Sequence, residues 1–148
     1  MPVSTEAVGK TFAPTTYEVG LEKIREYAYA IGEDNPVHHD REAARAAGFR
    51  DVVAPPMFCV VYSSRSLMPA LFDPEVGMNF AAMVHGGQEF TWGEPVCSGD
   101  VITTTARFES LDVRGGMGFY VFETESVNAE GASVADGTWT NIVRGVEG

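Results

Sequence analysis

Lysine is nearly missing from this chain: Lys10 and Lys23 stand against eight arginines and 21 acidic residues, leaving a net charge of −11. That balance excludes the basic surface that neutralises nucleic-acid phosphates, and it disfavours docking on an acidic membrane. Cysteine is equally sparse. Cys59 and Cys97 make no Cys-x-x-Cys and no zinc spacing, so reduced thiols in a cytoplasmic setting are expected, with no metal. No apolar run reaches the length of a membrane span, and residues 1–10 lack the apolar centre of a signal peptide. A Gly-x-Ser-x-Gly elbow is absent, which disfavours a serine hydrolase. The pairs Gly86-Gly87 and Gly115-Gly116 do not sit between strand and helix, so no nucleotide-binding loop and no cofactor are expected.

What remains is an ordinary globular composition, 45% hydrophobic and 11% aromatic, in 148 residues without repeats or linkers. One domain over residues 1–148 follows, large enough to bury roughly 70% of its unfolded surface. Residues 9–18 carry a short strand pattern. Leu21, Ile24, Ala28 and Ile31 then recur at helical spacing until Gly32 stops the helix. A short helix is expected over 40–47, with Asp40 near its start. Pro55-Pro56 opens a third helix, apolar on every side from Met57 to Tyr62 and therefore buried, turning polar at Arg65 and Ser66 and closing at Pro69. After residue 78 the pattern changes to four strands, around Phe90–Trp92, Val101–Phe108, Phe119–Val127 and Val134–Val143. An α+β domain, with an antiparallel sheet curled around one apolar helix, satisfies these burial demands.

The chemistry concentrates in Gly32-Glu33-Asp34-Asn35-Pro36-Val37-His38-His39-Asp40. A carboxylate and an imidazole held close can divide acid and base duties near neutral pH, because their unperturbed pKa values bracket that range. Two pairings share one offset: Glu33 with His38, and Asp34 with His39. Arg41, Arg45 and Arg50 follow directly, a basic cluster able to hold phosphate in an otherwise acidic chain.

This stretch resembles the hydratase motif of the MaoC-like enoyl-thioester hydratases, Gly-Asp-x-Asn-Pro-hydrophobic-His. Gly32, Asn35, Pro36, Val37 and His38 match it, with Glu33 in place of the aspartate. Val19–Ala28, Ala54-Pro55-Pro56-Met57-Phe58 and Val84-His85-Gly86-Gly87-Gln88-Glu89-Phe90 resemble the FAS1-like dehydratase, or MaoC N-terminal, branch. The resemblance implies a hot-dog fold and (R)-specific hydration of 2-enoyl thioesters, or dehydration of 3-hydroxyacyl thioesters, on coenzyme A or carrier protein. It implies catalytic roles for Glu33 and His38, Asp34 being the alternative acid, and Asn35 shaping the turn. It places Met57 and Phe58 at the thioester end of the buried helix, where the family's His-Gly pair is replaced by Pro55-Pro56. Arg41 and Arg45 are expected near the substrate's phosphates, and His85 as a hydrogen-bonding residue at the site's edge. It also implies a homodimer, or a heterodimer with a related hot-dog chain. Two other activities fit the same branch: a non-catalytic binding subunit of a heterodimeric dehydratase, and a hot-dog thioesterase.

Overall fold

Alternation writes the sheet. Along β3 (Val101–Arg114), Ile102, Thr104, Ala106 and Phe108 are buried while their neighbours are not. β4 (Met117–Val127) buries Tyr120, Phe122, Thr124 and Ser126 in the same way, and β5 (Ser133–Arg144) buries Trp139, Asn141 and Val143. With β1 (Thr15–Glu18) and β2 (Met83–Trp92) they form one antiparallel sheet in the order β1-β3-β4-β5-β2. The computed structural model describes residues 3–147. None of its helices is long and apolar enough to cross a membrane.

The inner face of the sheet packs on α3 (Cys59–Leu71), which meets β1, β3 and β4. One half of the core joins Leu67, Ala70 and Leu71 of α3 to Phe108, Tyr120, Phe122 and Trp139. Phe108 stacks between Tyr120 and Phe122, with centroids 5.9 and 5.1 Å away. The other half joins Phe58, Cys59 and Tyr62 to Ile24, Val52, Val96, Ile102 and Val134. This is the sheet wrapped around a central helix that defines the expected α+β hot-dog domain.

Two polar pairs lie on the inner face: Thr104 with Ser126 at 2.7 Å, and the Trp139 indole donating to Thr124 Oγ1 at 2.9 Å. Gly137 makes the second pair possible. A Cβ there would sit 2.7 Å from both Phe90 and Thr124 Oγ1, and 2.9 Å from Trp139 Nε1, so a larger residue would displace the indole.

The two smaller helices lie where expected, α1 at Leu21–Ala30 and α2 at Arg41–Ala46. Gly32 closes α1 with φ +73, the left-handed conformation that glycine adopts without strain. Asp40 caps α2, accepting the Glu42 and Ala43 N–H groups at 2.7 and 3.2 Å.

Three expectations about α3 are corrected. It does not turn polar at Ser66 or end at Pro69. Ser63 and Ser66 are buried because their hydroxyls donate back to the Cys59 and Ser63 carbonyls, at 2.5 and 2.6 Å, which satisfies them inside the helix. Pro69 forfeits a single backbone bond within the last turn, and burial of Ala70 and Leu71 carries the helix past it. Nor is the helix entrance buried all round: Met57, in the 3-10 turn Pro56–Phe58 that precedes α3, is 41% exposed.

Candidate active site

The turn after α1 is built to hold one imidazole. Asn35 Oδ1 accepts the Val37 N–H at 3.2 Å, and Pro36 starts a single 3-10 turn, Pro36–His38, with its φ already set. The His38 N–H then donates to the Asn35 carbonyl at 3.0 Å. This turns the ring inward, to 7% exposure. There His38 Nδ1 lies 2.7 Å from the Val53 carbonyl. A carbonyl oxygen only accepts, so Nδ1 carries a proton, and in the neutral ring the free lone pair then sits on Nε2. Val53 is held from both sides. Its N–H donates to the Val37 carbonyl at 3.1 Å, and its strand segment bridges to Cys97. The flanking bonds Ala54 N–H to Val96 O and Ser98 N–H to Val52 O, both 2.8 Å, zip residues 52–54 to 96–98.

These segments wall a cavity of about 310 Å³ against the start of α3. His38, Val53, Pro55, Phe58, Cys59, Tyr62, Trp92 and Val134 line it, and the lining is largely apolar. That volume lies at the small end of the range for ligand pockets. Trp92 in this lining is half exposed, with its indole N–H donating to the Pro56 carbonyl at 2.8 Å. Burial pushes the Cys59 thiol up to about 11, with Trp92 and nearby backbone amides opposing it, and it pushes the Tyr62 phenol well above its ordinary value. Both groups therefore stay neutral near pH 7. At the helix entrance the two prolines offer no N–H. The Phe58 amide is occupied by the Pro55 carbonyl at 2.9 Å, whereas the Met57 amide has no acceptor among the described residues. It is the free donor at that end.

The carboxylates are placed differently from the expected pairing. Glu33 accepts the Asn35 N–H through Oε1 at 3.1 Å and lines a second, shallower hollow with Tyr29, Asp34, Pro36, His39 and Asp40. No hydrogen bond or ion pair joins it to His38. Asp34 is exposed and bonds to nothing among the described residues, and the amide of this turn is taken by Glu33. The alternative pair does not form either. His39 Nε2 donates to the Glu33 carbonyl at 2.8 Å, its ring rests 4.7 Å from that of Tyr29, and Nδ1 is buried without a partner.

The basic cluster is spent largely on the protein itself. Arg41 pairs with Asp51 at 3.2 Å, and Arg45 reaches the Arg50 carbonyl at 3.4 Å. Arg50 grips Asp100 through two bonds of 2.7 and 2.8 Å, and that hydrogen bonding raises the arginine further. Asp100 also accepts the Cys97 N–H at 2.9 Å, so the Arg50 pair locks the zipped segment behind the cavity. Neither Arg41 nor Arg45 lines the cavity. His85 lies within β2, at a bulge, rather than ahead of it; its exposed ring stands edge-on to Trp139 at 5.9 Å, and it does not line the His38 cavity. No group of three His, Cys, Asp or Glu residues among the described residues could hold a metal.

Tyr62, Trp92 and the Val53 carbonyl are the site groups that sequence reasoning overlooked. Tyr62 and Trp92 read as plain core and strand residues, though each carries a polar tip as well as an apolar body.

The sequence matches the description "FAS1-like, dehydratase domain region" over residues 6–137. It is 39% identical to a UPF0336 protein of Saccharopolyspora erythraea, covering 98% of this chain and 94% of that one. A UPF0336 protein of Clavibacter michiganensis is 42% identical, with 98% of each chain covered. Among solved structures, the fold superposes on a chain of the Mycobacterium tuberculosis HadBC complex, titled a 3R-hydroxyacyl-ACP dehydratase. The TM-score is 0.83 at 27% identity, covering 93% of this chain and 98% of that chain.

Proposed function

The chain belongs to the family of FAS1-like dehydratase domains, and from that premise we propose that it hydrates 2-enoyl thioesters to (R)-3-hydroxyacyl thioesters, or catalyses the reverse dehydration. The observation that carries this reading is His38 itself: Nδ1 anchored on the Val53 carbonyl, and Nε2 free on a largely apolar cavity of acyl dimensions. In hydration, His38 Nε2 takes a proton from water as its oxygen bonds to the β-carbon. The π electrons move onto the thioester oxygen, which the Met57 amide at the helix entrance receives as a developing enolate. The enolate collapses as the α-carbon takes up the proton of an acid, and the imidazolium then hands the proton taken from water to that acid's carboxylate, which restores both groups. Glu33 is the acid the motif assigns to the α-carbon. To serve, it must leave the Asn35 amide and turn toward the cavity. The exposed guanidinium groups of Arg41 and Arg45 lie on the helix after the His38 turn, and we assign them to the phosphates of the thioester carrier.

One observation favours a second reading. Glu33 is bonded to the turn and not to His38, as befits a subunit that binds acyl chain while a related hot-dog partner supplies the acid. Steady-state hydration of crotonyl-CoA separates the two. The purified chain alone is expected to turn over; turnover only after addition of a related hot-dog chain establishes the second reading, and none in either case removes both.

A further inference from the structure

Tyr62 is 2% exposed, and no hydrogen bond to its hydroxyl exists among the described residues. Yet that oxygen is not one of the sealed, unsatisfied atoms, which are His39 Nδ1 and Gln88 Oε1. It therefore opens onto the space that Tyr62 lines, the cavity it shares with His38. A phenol buried in an apolar wall and left without a protein partner is costly unless something else accepts its proton.

We propose that the Tyr62 hydroxyl determines specificity within this cavity, donating a hydrogen bond to the 3-hydroxyl oxygen of a hydroxyacyl thioester and so selecting it over the saturated acyl chain. The inference rests on the thioester reading above and adds a residue and a discrimination to it.

The argument is one of complementary donors and acceptors. An alcohol carries one donor and acceptor lone pairs. His38 Nε2 presents a lone pair and Tyr62 presents an O–H, so the two together satisfy an alcohol that neither would satisfy alone. Placement agrees. Tyr62 lies one helical turn beyond Phe58, and side chains on a helix lean toward its N-terminus. Its ring, 6.2 Å from that of Phe58, thus leans over the turn where the free Met57 amide receives the thioester carbonyl. The 3-hydroxyl of a bound chain is only two carbons from that carbonyl. Because burial raises the phenol, Tyr62 keeps its proton and remains a donor throughout the working range of pH. The saturated chain would leave both the imidazole lone pair and the phenol unpaired, which is the basis of discrimination against a ligand lacking the polar group.

Calorimetric titration of the purified chain with 3-hydroxybutyryl-CoA and with butyryl-CoA tests this, using wild type and Tyr62→Phe, which removes the oxygen and keeps the ring. Wild type is expected to bind the hydroxyacyl thioester roughly tenfold more tightly, the scale of one net hydrogen bond. In Tyr62→Phe that preference should shrink to the part that His38 alone supplies, butyryl-CoA affinity should hold or rise, and Tm should be unchanged or higher. A variant that keeps the preference in full, or that weakens both thioesters equally, overturns the assignment to Tyr62. Wild type that binds neither thioester overturns the thioester reading itself, and this inference with it.

Discussion

Replacing His38 by asparagine separates the two nitrogens of the ring. The asparagine amide reaches about as far as Nδ1, so its N–H can still donate to the Val53 carbonyl, now met by His38 at 2.7 Å. Nothing then occupies the place of Nε2. Replacing His38 by alanine removes both. The Val53 carbonyl is left buried and unpaired, at a cost of about 1–3 kcal/mol, while in asparagine that cost is largely avoided. For a chain of this size, a loss of about 2 kcal/mol lowers Tm by roughly 5 °C. Thermal unfolding should therefore place His38→Asn near wild type and His38→Ala well below it. Crotonyl-CoA hydration should fall by roughly 10²-fold or more in both, the scale of a lost general base. If His38→Asn hydrates at the wild-type rate, Nε2 is not the base, and His38 serves only to pin residues 52–54.

Glu33→Gln should cut the hydration rate by roughly 10²-fold, whereas Asp34→Asn should leave it unchanged, since Asp34 is exposed and bonds to nothing among the described residues; the reverse outcome would shift the acid to Asp34, and Glu33→Asp, which restores the motif residue, should retain activity. The Asp100 pKa is depressed: burial opposes ionisation, but the Arg50 guanidinium and the Cys97 amide outweigh it. A lowered folded-state value stabilises above the unfolded value near 4, and that contribution is lost as pH falls through the folded-state value. Urea unfolding should accordingly show wild type losing more stability between about pH 7 and pH 3 than Asp100→Asn does, and equal losses would refute the Arg50–Asp100 lock. β2 lies at the edge of the sheet with Val84 and Trp92 exposed, an arrangement that invites pairing with a second hot-dog chain. Sedimentation should find a dimer, and a stable monomer at micromolar concentration would contradict it.

Periodicity and punctuation carried the fold. The i, i+3, i+7 spacing of Leu21, Ile24 and Ala28, the stop at Gly32, and the alternation in the last three strands all act locally, and α1, α2, β4 and β5 formed within a few residues of expectation, whereas β1 begins only at Thr15, β2 already at Met83, and β3 runs on to Arg114. Pro69 misled because a proline near the end of a helix sacrifices one bond while tertiary burial beyond it decides where the helix stops. Ser66 misled because a hydroxyl can satisfy itself on its own helix. In the site, Asn35-Pro36 marked the turn and His38 the inward residue, both consequences of local backbone geometry. The partner of His38 was invisible: the Val53 carbonyl is a backbone atom fifteen residues away, brought there by pairing with residues 96–98. Adjacent acidic residues likewise gave no indication of which would bond to the turn. That choice depends on the Asn35 amide, which Glu33 reaches and Asp34 does not use.

The central claim is that His38 Nε2 is an unprotonated lone pair facing bound thioester, and nitrogen-15 NMR of the histidine rings tests it most directly. In the free protein near neutral pH, His38 is expected as the Nδ1–H tautomer, its proton bonded to Val53. Adding 3-hydroxybutyryl-CoA to saturation should shift Nε2 strongly as it accepts the substrate hydroxyl, and leave Nδ1 nearly unmoved. A His38 ring that is Nε2–H in the free protein, or whose Nε2 does not respond to saturating thioester, would contradict the account.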